Sequence, residues 1–468
     1  MSPSPDIETL QNTIQTLLAT IENQKQTIAR LEARVAELEA RLGLTSRNSS
    51  FPPSRDIIKP ASLRQKTGRK AGGQKKRIGT TRELSSTPDT ILHLPVDTCS
   101  CGHALTFVQP LTHLRRQQIE IPLSPCQITE YQADVKICPH CHRKITAAFP
   151  PGIDHTITFG DNLKTLLLYL RNADFMPFEQ LIRFFKDIYA LQLSPATMTK
   201  ILGKASASLE GYTADIRQDL LKSPILHADE TGFRVKGERW WLHSLSDDHL
   251  TYYDIHRTRG SGATKEIGIL PHYAGTLIHD FWSGYTQYTC DHAYCNAHII
   301  RELQGIYDGY KQDWAREMRG LIEEIYTYAV QEKGRSPIRL GELERRYDEV
   351  VERGMAENPP PSSTGKRGKK KRTKALNLLI RLKAHKSEIL RFMYDEGIPF
   401  TNNQAERDLR MMKVQQKISG TFRSVEGADV FCRIRGYIGT IRKNGKSVFQ
   451  AMMKLAREEP FTLKEIRG

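Results

Sequence analysis

Three carboxylates stand where they could hold metal ions. Asp229 lies in PILHADETGFRV, where an apolar strand delivers an acid near its end. His227 shares the face of Asp229, because strand side chains alternate. Asp280 lies in GTLIHDFWSGY, again closing an apolar strand, ahead of aromatics and a glycine turn. Glu406 lies in TNNQAERDLR, at a helix start. A carboxylate that ends a buried strand is costly unless it is paired or bound to metal. One Asp bridging two Mg²⁺ ions, with a second Asp and a Glu flanking, is a donor set that phosphoryl transfer can use. Glu406 also has a structural reading. With Asn403 as the cap, it closes a capping box worth about 1 kcal/mol. The chain holds 53 acids, so such a trio also arises by chance.

The cysteines suggest a second kind of metal chemistry. Cys99 and Cys101 sit in TCSCGH, and Cys138 and Cys141 in ICPHCH. Two such pairs brought together by hairpins make a thiolate cage suited to a structural Zn²⁺. The first pair has one residue between its members, so His103 or Cys126 could replace a ligand, with His140 and His142 as further spares. The plain alternative is four free thiols in a small β unit, some buried as apolar residues.

The elements that must position these groups follow from periodicity. Leu10, Ile14, Leu17, Ile21, Gln24, Ile28, Leu31, Val35, Leu38 and Leu42 alternate spacings of four and three. β-Branched a positions with Leu at d favour a parallel two-stranded coil, hence a homodimer. The alternative is a long helix packed on its own protein. Residues 44–90 are rich in Ser, Pro, Gly, Lys and Arg and read as a basic flexible linker. Residues 91–151 carry β-like stretches around the cysteines. Residues 152–215 read as helices, with Ser194 as a cap and Pro195 at the first helical position, in the order of a helix-turn-helix or a plain small bundle. Residues 220–290 return to strands, a helical stretch follows from about 301 to 397, and 426–468 are helical again. A basic run from Lys366 to Lys374 interrupts the helices.

Bulk properties agree with a polyanionic partner. Lys and Arg number 69 against 53 Asp and Glu, a net charge of +16. Each neutralised phosphate releases counterions, so such a surplus favours nucleic acid. No apolar run approaches the roughly 18 residues of a membrane span. The first residues lack the pattern of a signal peptide, and eight cysteines are too few for a disulfide scaffold. The expected location is the cytoplasm, associated with the nucleoid.

HADET, HDFWSGY, CNAHIIREL, TNNQAERDLR and GTFRSVEGADVFCRIRGYIGTIRKNGKSVFQAM together resemble the insertion sequence 66 family of transposases. The coiled coil, NSSFPPS linker, GGQ-containing basic stretch and paired cysteines follow the family's order. The resemblance implies a ribonuclease H-like core carrying a DDE triad, which falls on Asp229, Asp280 and Glu406. It implies Mg²⁺ or Mn²⁺ at that triad, double-stranded DNA as substrate, and small accessory proteins encoded alongside. The 126 residues from Asp280 to Glu406 then accommodate a helical insertion. CNAHIIR departs from the family's CWAHARR-like motif, and leaves open whether Cys295 and His298, with Cys290 and His292 nearby, hold a second metal or form a packed helix start.

The expected architecture is multidomain α+β: coiled coil 6–43, linker 44–90, zinc unit 91–151, helical DNA-binding region 152–215, catalytic core 220–425 with its insertion at 301–397, and C-terminal helices 426–468. The expected activity is cleavage at element ends and joining of the 3′-hydroxyl to target DNA by two-metal phosphoryl transfer. The alternatives are a silent DNA-binding derivative, which an Asn or Gln at any of the three acids would have favoured, and a structure-specific nuclease.

Overall fold

The computed structural model describes residues 7–42, 45, 48, 84, 86–88, 90–102, 104–109, 114–117, 126–137, 139–140, 144–153, 155–331, 335–361 and 372–467. They fall into two compact units, Ala61–Glu130 and the remainder of the chain. In the small unit Thr98 and Ala104 form an isolated antiparallel bridge, and the Gly102 N–H donates to the Cys99 carbonyl at 2.8 Å. The strand expected at 91–96 does not form. Its apolar side chains, Leu92 and Leu94 among them, are exposed, and a segment this small has no core for a strand to pack against.

In the large unit, helix α1 (Ile7–Leu42) opens the chain. Ile14, Leu17, Ile21, Ile28, Leu31, Val35 and Leu38 of its apolar seam are all exposed. Strands β1 (Val135–Ile137) and β2 (Lys144–Thr146) pair antiparallel and bracket the second cysteine pair. Helices α2 (Asp161–Asn172), α3 (Phe178–Tyr189), α4 (Pro195–Ser208) and α5 (Glu210–Leu221) follow. As the sequence predicts, the Ser194 hydroxyl accepts from the Thr197 N–H and Pro195 opens α4.

The sheet comes next. β3 (Ile225–Val235), β4 (Glu238–Ser246) and β5 (Thr251–His256) form an antiparallel meander. The β3–β4 turn has Lys236 and Gly237 both at positive φ, 51° and 81°, which suits the right-handed twist of a two-residue hairpin. After α6 (Ser261–Ile267), β6 (Thr276–His279) and β7 (Asp291–Tyr294) join in parallel. The strand order is β5-β4-β3-β6-β7. β7 is only four residues, DHAY, with too little apolar character to be read from sequence.

Helices complete the unit: α7 (Asn296–Tyr310), α8 (Asp313–Gln331), α9 (Pro337–Glu357), α10 (Lys374–Ala384), α11 (Lys386–Ile389) and α12 (Arg391–Tyr394). They are followed by α13 (Asn403–Ser419), α14 (Val425–Lys443), α15 (Val448–Ala456) and α16 (Leu463–Arg467). Residues 366–371 of the basic run lie outside the described residues. Among the described residues the buried apolar side chains form three clusters. One joins Leu226, Ala228 and Leu277 of the sheet to α2–α5 and α15. The second joins Ile278 and Tyr294 to α7–α12. The third seats α13 and α14 on Phe233, Val235 and Leu242.

Candidate active site

The register of the sheet brings two of the three carboxylates side by side. β3 and β6 pair as Ile225 with Thr276, Leu226 with Leu277 and His227 with Ile278, a constant offset of 51. The pairing ends at His227 and Ile278; carried two residues further, the same offset (280 − 229 = 51) brings Asp280 level with Asp229, and the charge of Asp280 acts on Asp229. Asp280 directly follows β6, as expected. Asp229 does not end its strand. β3 runs on to Val235 because β4 pairs with it from His227 to that end, whereas β6 pairs only with Ile225 to His227. Asp229 is thus central in its strand and sits where the parallel pairing stops.

Glu406 comes from the first turn of α13, which packs on β3 and β4. The capping box does not form. The helix starts at Asn403, and Asn402 occupies the cap position without a side-chain cap bond. Asn402 has another task. Its Oδ1 accepts from His227 Nδ1 at 2.8 Å, its Nδ2 donates to the Ala228 carbonyl at 2.8 Å, and its backbone N–H donates to Cys295 Sγ at 3.1 Å. One buried amide therefore ties the start of α13 to the strand bearing Asp229 and to the start of α7. Two more bonds hold the helix down: the Tyr253 hydroxyl donates to the Asp408 carbonyl at 2.6 Å, and Lys443 pairs with the Asp408 carboxylate at 2.8 Å.

The side chain of Glu406 points instead to α7. Its Oε1 lies 3.4 Å from Arg301 Nη2 and 4.0 Å from His298 Nε2. The electrostatics join the three acids. Burial, then the negative charge of Glu230 and Asp280, and more weakly Glu406, hold the Asp229 carboxyl well above the ordinary range, while the Glu230 N–H donated to its Oδ1 acts the other way. Asp229 keeps part of its surface open to solvent although neighbouring atoms crowd it. Asp280 accepts from the Trp282 N–H at 2.9 Å. Carboxylate oxygens gathered in this way are ligands that a hard divalent cation can take, and Glu406 alone of the three is paired with a cationic side chain among the described residues.

Several supporting residues were not legible in the sequence. Glu230 points to the other face of β3 and is buried. It accepts from the Tyr285 hydroxyl and from Arg259 Nε, each at 2.5 Å. Arg259 lies over the rings of Trp241 and Trp282. Burial still raises the Glu230 carboxyl, against the lowering effect of Arg259. Behind Asp280, His279 Nε2 meets His292 Nδ1 at 2.8 Å, and burial pulls the His279 imidazole down to about 3. Arg301 follows His298 by three residues, a helix-face spacing that could have flagged it.

The cysteines divide. Cys99 is half-buried and Cys101 exposed, and the Cys101 N–H and thiol hold the Cys99 thiol below its usual range. Cys138 and Cys141 lie outside the described residues, as do His103 and His142. Cys290 and Cys295 are buried, and Cys295, His298 and Glu406 approach one another closely.

A sequence model described as a family of unknown function, DUF6444, matches residues 2–83. No curated protein matches the chain. The sequence model of the Transposase IS66 family matches residues 156–430, which span the five-stranded sheet, all three carboxylates and Arg301. That match covers more than half of the 468 residues, so the chain belongs to the Transposase IS66 family.

Proposed function

We propose that the protein is a DNA transposase of the DDE type, with a ribonuclease H-like core in the large unit and Asp229, Asp280 and Glu406 as its metal-binding carboxylates. The observation that carries this reading is the β3–β6 register, which, continued two residues past its last pair, brings Asp280 level with Asp229, while the charges of Asp280 and Glu406 both act on Asp229. The sheet order, three antiparallel strands followed by two parallel ones, supports the core assignment. The donor set fits Mg²⁺ or Mn²⁺, because the crowded acids repel one another and a hard cation relieves that repulsion. When bound, two such ions would activate the attacking oxygen and stabilise the leaving one.

The chain's own residues perform the rest. Asp229 and Asp280 are held by the sheet, with backbone N–H groups fixing one oxygen of each. Asn402 fixes the helix that carries Glu406, and Arg301 steadies the Glu406 carboxylate. No protein nucleophile is required, since water and then the DNA 3′-hydroxyl attack. Residues 152–215, the paired cysteines with a structural Zn²⁺ and the basic linker bind the element ends. The exposed seam of α1 pairs two protomers, and accessory proteins of the same element join the complex. The protein acts in the cytoplasm on nucleoid DNA; no helix among the described residues is long and apolar enough to cross a membrane.

The test uses DNA flanking the gene, Mg²⁺, a target plasmid and any accessory proteins. Wild-type protein is expected to cleave the ends and join them to the target, and Asp229→Asn to lose both steps by at least about 10³-fold. End binding without cleavage by wild type would favour a silent DNA-binding derivative. Cleavage of branched DNA without preference for element ends would favour a nuclease.

A further inference from the structure

We infer that Cys295, His298 and Glu406 form a site for a thiophilic divalent cation of the Zn²⁺ type, next to the all-carboxylate site but chemically distinct from it. The three residues offer a sulfur, an imidazole nitrogen and a carboxylate oxygen that all lie within 4.8 Å of one another. Cys295 stands at the cap position of α7 and His298 falls in the first turn, so the helix presents both to one side. Glu406 reaches them from the first turn of α13.

Three observations favour a ligand here over a packed helix start. First, His298 Nδ1 is buried and has no hydrogen-bond partner. Second, the Cys295 sulfur, buried at the junction of β7 and α7, accepts from the Asn402 N–H at 3.1 Å, so its position beside His298 and Glu406 is fixed. A hydrogen bond behind a ligand atom orients it for a metal. Third, Mg²⁺ takes oxygen ligands, so a carboxylate site leaves the sulfur and the imidazole without a role, whereas Zn²⁺ readily accepts sulfur, nitrogen and carboxylate oxygen together.

The geometry needs little adjustment. Bonds of about 2.0–2.3 Å in a tetrahedron put ligand atoms about 3.3–3.6 Å apart, so the trio must close by about 1 Å. Cys295 is fixed in the core, while the side chains of His298 and Glu406 are 21% and 27% exposed, and Glu406 closes on the site by loosening its 3.4 Å contact with Arg301. That opening also provides the entry path and leaves a fourth position for water. Glu406 belongs to both sites. On the catalytic reading proposed for Glu406, on which this effect rests, Zn²⁺ draws one carboxylate away from Mg²⁺ and slows cleavage.

The experiment titrates the full chain with Co²⁺, whose thiolate charge-transfer and visible bands report a sulfur-containing site directly. Wild type is expected to bind one more equivalent than Cys295→Ser or His298→Ala, with the difference spectrum showing a thiolate band. Ser can accept the Asn402 N–H in place of the sulfur, and His298 Nδ1 has no hydrogen bond to lose, so folding is checked by circular dichroism in both. If Cys295→Ser does not fold, His298→Ala decides. Identical stoichiometry and spectra in wild type and the folded variants would overturn the site. Asp229→Asn is expected to keep the Cys295-dependent band whatever happens to DNA cleavage. Failure of this inference and failure of the catalytic reading are thereby separated.

Discussion

Asp229 bears the electrostatic cost of gathering acids. Burial, Glu230 and Asp280 raise its carboxyl above the ordinary range. An acid that keeps its proton longer in the native state than in the unfolded chain lowers stability as pH climbs through the carboxylate range, until the native group ionises too. In chelator, Asp229→Asn is therefore expected to raise the melting midpoint near pH 7.5, by about 2–4 °C per kcal/mol relieved. The gain should shrink toward about pH 4, where the unfolded carboxyl also holds its proton. Thermal melts at both pH values check this, and a lowered midpoint near neutrality would sink it. Asn402→Ala makes the opposite change. It leaves the His227 ring nitrogen and the Ala228 carbonyl unpaired in a buried place, at about 1–3 kcal/mol for each group. Urea denaturation should show the loss, together with weaker cleavage because the start of α13 is no longer fixed.

Among the elements, α13 and α14 decide whether Glu406 reaches the sheet. α14 lies on β5 through Gly436 and Gly439, and a Cβ on Gly439 would meet Thr251 at 3.0 Å. Gly439→Val is expected to push the helix off the strand and cost about 1–3 kcal/mol. Gly320 offers the contrast. It sits exposed inside α8, with nothing within 4 Å of an added Cβ. Gly320→Ala is expected to stabilise by about 0.4–1 kcal/mol through the unfolded chain. Chemical denaturation of the two variants checks both signs, and a loss at Gly320 as large as at Gly439 would refute the packing argument.

For the molecule as a whole, the exposed seam of α1 is the feature that a single copy leaves without a use. Ile21 and Ile28, both exposed, occupy a positions of the repeat. In the dimer proposed here, Ile21→Asp with Ile28→Asp would place like charges across the seam. Sedimentation is expected to show a monomer, with the thermal midpoint of the catalytic unit unchanged. A dimer that persists would mean that α1 is not the interface.

Strong local patterns carried through to the structure. The helix over α1, the Ser194–Pro195 helix start and the apolar runs of β3 to β6 were legible, because each rests on residues close in the chain. What needed the folded molecule was long-range. That β3 extends past Asp229 depends on β4 as its partner. That Asn402 binds Ala228 instead of capping its own helix depends on a residue 174 positions away. A capping box is local and weak, worth about 1 kcal/mol, and it yields when a buried carbonyl on another strand would otherwise go unpaired. Cys295, His298 and Glu406 meet for the same reason: α7 and α13 are adjacent only once both have packed against the sheet.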